Sequence, residues 1–133
     1  MLPGQERHEI ETITGFIDKR RRDRCLELLR NPKRRRDFTR ELGHFKWLDP
    51  RFVVQIRPSD QYPDSIAALL KAKGSPASCW LISQDPDLDA QELPLLEALK
   101  EIVGMGMGTI VSCIPGKLGY FEDEEVRYIL EKQ

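Results

Sequence analysis

The chain has 133 residues, of which 40% are hydrophobic and 32% are charged, a composition too apolar for a disordered chain and too charged for a membrane protein. No apolar run approaches the roughly 18–20 residues needed to span a bilayer, and residues 1–7 lack the apolar segment of a secretion signal. These features predict a cytoplasmic protein with a single domain over residues 1–133 and no membrane partner.

The charge is unevenly distributed along the chain. The net charge is −1, but residues 1–46 carry 13 basic and 8 acidic side chains, a net charge of +5, and residues 47–133 have a net charge of −6. Such asymmetry says more about partners than the total does. The hydrophobic pattern also changes near residue 47, which predicts a basic helical arm over 1–46 and an α/β body over 47–133.

Two helices are predicted in the arm. Apolar residues at helical spacing indicate a first helix over Glu9–Arg30, which would be about 30 Å long if it were continuous. Its stripe of apolar residues is interrupted, so either the middle of the helix crosses open surface or the helix breaks at Gly15. Asn31 is suited to cap a helix and a following proline is suited to begin one, so the second helix is predicted over Pro32–Leu42.

The body is predicted to have the order β-α-β-α-β-β, with a last short strand extending the sheet. Cys79–Ile82 is apolar on both faces, which is typical of a central parallel strand. We therefore predict that it is the most buried strand of the sheet. Strands separated by helices imply right-handed crossovers and a mixed sheet, so the predicted fold class is α/β, with α+β as the alternative. The predicted strands are 51–57, 79–82, 109–114, 118–121 and 126–130, and the predicted helices are 63–71 and 95–103.

A basic cluster is the most prominent local feature of the sequence. Residues 19–36 contain ten lysines and arginines against two acids. Cations at a helix start oppose the helix dipole, so local helix stability does not explain them. Free backbone amides with arginines nearby bind phosphates or carboxylates. The predicted anion-binding or partner-binding residues are Arg20, Arg21, Arg24, Lys33, Arg34, Arg35 and Arg36.

Several interpretations of this basic cluster remain open. It could bind a protein partner, phosphate or nucleic acid, dock onto the acidic body, or form a solvated face. An isoelectric point of about 6.1 argues against a dedicated DNA-binding domain, which is normally basic overall. The complementary charges of arm and body also predict a homodimer, the commonest closed assembly.

A second candidate site follows from the predicted parallel sheet. In open α/β sheets, ligands bind outside the carboxyl ends of the strands. Such an edge would suit a small enzyme or a ligand-binding protein. The residues predicted to meet there are Arg57, Ser59, Asp60, Ser83, Asp85 and Lys117.

The acidic segment 84–92 resembles the start of a calcium loop in its Asp-x-Asp-x-Asp spacing. It has Ala90 and Leu96 where that loop needs glycine and glutamate. A helix-capping box of Asp89 and Glu92 is the preferred interpretation, and no metal is predicted.

No motif in the sequence identifies a reaction. The glycine-rich segment 104–108 follows a helix and precedes a strand, the reverse of a phosphate-binding loop. A catalytic pair of Cys113 and His44 is conceivable, but a thiol in an apolar strand is usually inert. We therefore predict no catalytic residue and no cofactor, and we favour a binding or regulatory module over an enzyme.

Overall fold

The computed structural model describes residues 3–132, which form one six-stranded antiparallel sheet with helices on both faces. The strands lie in the order β1-β6-β5-β4-β2-β3, and the fold is of the α+β class. The strands are β1 (Val53–Gln55), β2 (Ser78–Ser83), β3 (Glu92–Pro94), β4 (Thr109–Ile114), β5 (Leu118–Glu122) and β6 (Arg127–Glu131).

Five α-helices in the described residues cover the sheet: three on one face and two on the other. None of them combines the length and apolar character needed to cross a bilayer. Short 3₁₀ helices occupy residues 19–21, 42–44, 50–52 and 58–60. The α-helices are α1 (Pro3–Phe16), α2 (Arg22–Arg30), α3 (Arg35–Glu41), α4 (Pro63–Ala72) and α5 (Leu95–Ile102).

Successive residues of each central strand point into two different cores, as the period of two in a strand requires. Leu81 and Tyr120 pack with α4 and α5. Their neighbours Ile82 and Phe121 pack with α1, α2 and α3. The sheet is therefore apolar on both faces, which explains why the sequence of its central strands does not alternate.

The first predicted helix is two helices. The break expected as an alternative at Gly15 is confirmed, because α1 ends at the next residue, Phe16. A side chain at Gly15 would place its Cβ 2.7 Å from the carbonyl oxygen of Gly116, so only glycine fits this approach. Ile17 then forms an isolated bridge with Leu48, and the chain turns before α2.

The second predicted helix starts later than expected. It begins at Arg35 and not at Pro32, and it has seven residues. The Asn31 side chain accepts the backbone N–H of Lys33 at 3.0 Å, and the backbone carbonyl oxygen of Asn31 accepts those of Arg34 and Arg35 at 2.9 Å each. These amides are bonded within the chain, so they do not form the anion site expected at a helix start.

The prediction of a mixed sheet with parallel neighbours is wrong. Helix α4 does connect two strands of the same direction, β1 and β2, and α5 connects β3 and β4. In each case other strands lie between the connected pair: β6, β5 and β4 in the first, and β2 in the second. Every neighbouring pair is consequently antiparallel. The sequence analysis did not predict the three-residue β3. Because β3 runs antiparallel to β2, the chain continues through α5 into β4 in the direction opposite to β2.

Two expectations about individual strands need correction. Cys79–Ile82 is buried as predicted, but it is not the most buried strand: Trp80 is 8% exposed, whereas no side chain of β5 is more than 2% exposed. The predicted strand 51–57 is only three residues long, and Val54 is exposed at the edge of the sheet. Pro50 starts a 3₁₀ helix that occupies the first part of the predicted strand.

Candidate functional site

Arg35 lies at the centre of a nearly buried group of charges. Its guanidinium donates to both oxygens of Glu9 at 2.9 and 2.7 Å and to both oxygens of Asp89 at 3.0 and 2.7 Å. The side chains of Arg35, Glu9 and Asp89 are 13%, 3% and 11% exposed. Arg35 therefore joins α3 to α1 and to the acidic loop. The sequence analysis predicted that Arg35 binds a partner, but its guanidinium is not available for that contact.

The acidic loop is shaped by the same ion group. The Asp89 carboxylate also accepts the backbone N–H of Ser83 at 2.9 Å, and Ala90 has a left-handed φ of 64°. The predicted capping box is wrong, because Glu92 lies in β3 and α5 begins at Leu95. Burial lowers the pKa of Arg35, but its hydrogen bonds with Asp89 and Glu9 outweigh burial and raise the pKa, so this cation stays charged.

A groove of about 380 Å³ lies between α2 and α3. We call it the arginine groove. Leu28 and Trp47 contribute its apolar surface, and the remaining lining residues are Arg24, Arg34, Asp37, Arg40 and Glu41.

The ion pairs along the arginine groove are long and exposed. Glu27 lies 3.3 Å from Arg24 and 3.8 Å from Arg34, and Asp37 lies 3.5 Å from Arg34 and 3.4 Å from Arg40. Strong charge-assisted bonds of this type measure about 2.7–2.9 Å, as those of Arg35 do. Exposed pairs contribute only about 0–1 kcal/mol, so these guanidinium groups remain open to competition from another carboxylate.

Arg21 extends the arginine groove by stacking on Trp47, with its guanidinium carbon 4.9 Å from the ring centroid. Stacking leaves the N–H donors of a guanidinium in its own plane and available. Within residues 3–132, the Arg21 side chain makes no hydrogen bond or ion pair. The Trp47 ring also packs against Phe45, with centroids 5.6 Å apart.

The rest of the predicted basic cluster divides into separate positions. The Arg36 side chain donates to the carbonyl oxygen of Gln84 at 3.4 Å. The side chains of Arg20 and Lys33 are exposed and have no ion-pair partner within residues 3–132. The cluster is thus one buried structural arginine, a groove, and solvated charges around it.

The predicted ligand edge does not form as one site. Lys117 lies at the end of the sheet opposite Ser83, because β4 runs antiparallel to β2. The carboxyl ends of β1 and β2 do lie at the same end of the sheet. However, three strands separate β1 from β2, which corresponds to a distance of roughly 19 Å. Ser83 is itself buried against Thr109, with the two hydroxyl oxygens 2.8 Å apart.

The remaining residues of that predicted edge have local partners. Arg57 forms an ion pair with Asp60 at 3.1 Å within the turn where Ser59 is exposed. The Asp85 side chain accepts the backbone N–H of Asp87 at 2.9 Å. These contacts shape two separate turns.

A histidine–serine pair joins α1 to β4, and the sequence analysis missed it. His8 Nδ1 and Ser112 Oγ are 2.6 Å apart, and the Thr12 hydroxyl donates to Ser112 Oγ at 3.1 Å. Such a pair could activate a nucleophile, but Ser112 is only 2% exposed beneath α1. In this arrangement the pair fixes the helix to the sheet. Burial lowers the pKa of His8, and Arg7 lowers it further.

A polar pocket of about 280 Å³ lies where β5 ends and β6 begins. The buried Glu122 accepts the backbone N–H of Gly104 at 2.9 Å and the hydroxyl of Tyr120 at 2.7 Å. Its oxygen Oε1 also lies 3.5 Å from Arg127. Both carboxylate oxygens are occupied, so Glu122 holds the glycine-rich segment against the sheet.

The pair of Cys113 and His44 is not formed. Cys113 packs on the side of α4 and α5, and burial raises the pKa of its thiol to about 11. His44 is exposed and lies 3.2 Å from Glu124. Within residues 3–132, no three His, Cys, Asp or Glu side chains are grouped as a metal site requires.

No family model, curated protein or solved structure matches this chain. The candidate site therefore rests on its own geometry, and the arginine groove combines three arginines with an aromatic surface. Sequence reasoning identified Arg21, Arg24 and Arg34 but did not propose Arg40 or Trp47 as binding residues. Two features of the sequence could have indicated them: Arg40 is a basic residue six positions after Arg34, and Trp47 lies where the hydrophobic pattern changes.

Proposed function

We propose that the chain is a binding module that contacts an acidic region of a protein partner through the arginine groove. The observation that carries this proposal is the contrast between Arg35 and its neighbours. Arg35 makes short, buried bonds within the chain. Among the described residues, Arg24, Arg34 and Arg40 make only long, exposed ones, and arginine and tryptophan are the residues that binding hot spots favour.

The acids among these arginines favour a protein partner over nucleic acid. Glu27 and Asp37 each lie between two arginines, and Glu41 also lines the groove. A duplex backbone carries one negative charge about every 1.7 Å, so it would place phosphates against these carboxylates. A protein surface carries both signs of charge and can match the alternation.

The proposal is tested with a capped decamer of glutamate, titrated by calorimetry at about 0.05 and 0.5 M salt. We expect binding at low salt that weakens strongly at high salt, because screening acts on exposed charges. Arg24→Glu/Arg34→Glu should abolish the binding.

Arg7→Glu/Arg57→Glu is the matched control. It makes the same change in net charge at two exposed ion pairs outside the groove, so it should retain the binding. Circular dichroism verifies that both variants are folded. Equal loss in both double variants, or no binding by the wild type, would contradict the proposal, and tighter binding of a single-stranded RNA decamer would favour the nucleic-acid alternative.

A further inference from the structure

We infer that the arginine groove recognises a partner segment in which an apolar side chain is flanked by acidic ones. This inference rests on the proposed function and adds the sequence class of the partner. Two features of the groove support it: a row of arginines that leaves donors free, and an apolar surface beneath that row.

The row of arginines supplies more donors than the chain uses. A guanidinium has five N–H donors. Within the described part of the chain, Arg24, Arg34 and Arg40 direct theirs at only two bridging carboxylates, with nitrogen–oxygen distances of 3.3–3.8 Å. An incoming carboxylate that accepts two parallel N–H bonds from one of these groups would form the shorter, stronger geometry. The row therefore fits acidic side chains placed a few residues apart.

The apolar surface lies within the same groove. Trp47 is half-buried, so part of its indole faces the groove, and Leu28, which is 4% exposed, lines the same groove. The guanidinium of Arg21 covers part of the ring and keeps its own donors free. A partner that offered only acidic side chains would leave this surface wet, whereas an aliphatic side chain between two acids would cover it.

Phosphate-rich ligands fit this combination less well. A phosphodiester chain presents no aliphatic group to Leu28 and Trp47, and its closely spaced charges would meet Asp37 and Glu41. A short acidic and apolar peptide satisfies both the charges and the apolar surface. The geometry thus favours a peptide with alternating acidic and leucine-like residues.

Two capped hexapeptides of equal charge test the inference, Glu-Leu-Glu-Glu-Leu-Glu and Glu-Ser-Glu-Glu-Ser-Glu. Burying one leucine side chain corresponds to at least about tenfold in affinity. We therefore expect the leucine peptide to bind the wild type at least about tenfold more tightly. The full chain labelled with fluorotryptophan reports the place of binding, because it has two tryptophans and Trp80 is buried in β2.

The expected ¹⁹F spectrum shows the Trp47 resonance, assigned by Trp47→Phe, moving with the leucine peptide while the Trp80 resonance stays fixed. Trp47→Ala should bring the affinities of the two peptides within about twofold of each other. The wild-type spectrum keeps the test decisive even if Trp47→Ala does not fold. Equal affinities, or a stationary Trp47 resonance, overturn the inference. If the glutamate decamer still binds through Arg24 and Arg34, the proposed function stands, and if no acidic peptide binds, both fail.

Discussion

Arg34 and Arg35 are adjacent in the sequence, and their surroundings are opposite. Arg34 faces the arginine groove and pairs loosely with Glu27 and Asp37. Arg35 turns inward to Glu9 and Asp89, which lie 26 and 54 positions away. Four consecutive basic residues give no local signal of which one is buried. The chemistry of the cluster could be predicted from the sequence, but its division between structure and surface depends on distant carboxylates.

Replacing Arg35 with methionine should lower the free energy of unfolding by about 3–5 kcal/mol. The change leaves the carboxylates of Glu9 and Asp89 buried without their cation, and breaking a buried pair has a cost of this size. Arg36→Met is the control, because Arg36 is exposed, and it should change stability by no more than about 0.5 kcal/mol. Urea unfolding measures both. A loss below about 1 kcal/mol for Arg35→Met would show that the ion group contributes little.

At the scale of elements, the helices and strands that are predicted best are those whose apolar pattern is bounded by a proline or a glycine. Helix α5 starts at the predicted Leu95 and ends at Ile102, and β4 has the predicted bounds. A proline or glycine marks a boundary of each. β3 is three residues long, too short to show a period of two. The strand order could not be predicted from local patterns. It depends on pairing between strands that are far apart in the sequence, such as β1 and β6, which lie side by side in the sheet.

Attachment of α1 to the sheet should depend on pH. Burial lowers the pKa of His8 below its ordinary value of about 6.5, so the unfolded chain takes up a proton before the folded chain does. Stability is therefore expected to fall as the pH drops below about 6.5, until the folded pKa is passed. A neutral imidazole can accept the Ser112 hydrogen, and a protonated one cannot.

Thermal unfolding between pH 7.5 and 5 measures this effect, with His8→Gln as the control. The glutamine side chain can hydrogen-bond Ser112 but does not titrate, so it should flatten the part of the pH dependence that comes from His8. A wild type and a variant with parallel pH profiles would show that His8 is not responsible.

At the scale of the whole molecule, the opposite charges of the arm and the body meet within one chain. Arg35 belongs to the arm, and Asp89 belongs to the body. Because Arg35 and Asp89 pair within one chain, these two charges cannot contribute to the attraction between two copies that predicts a homodimer. The groove remains open, so self-association through it stays a prediction in which the acidic body of a second copy takes the partner's place.

Light scattering at about 0.05 and 0.5 M salt tests self-association. We expect a mass that rises towards the dimer with protein concentration at low salt and returns to the monomer at high salt, since exposed charge pairs are screened. Arg24→Glu/Arg34→Glu should keep the monomer mass in both, whereas Arg7→Glu/Arg57→Glu should behave as the wild type. A wild-type monomer at both salt concentrations would exclude the charge-driven dimer.

The position of β1 at the edge of the sheet has a consequence for synthesis. Its one neighbour is β6, and Val53 pairs with Leu130. At about 5–20 residues per second, a ribosome needs roughly 4–15 seconds to add the intervening chain. Until then β1 has no strand to pair with, and it presents unpaired backbone groups of the kind that recruit other chains. The nascent protein therefore cannot complete its sheet until β6 has been synthesised.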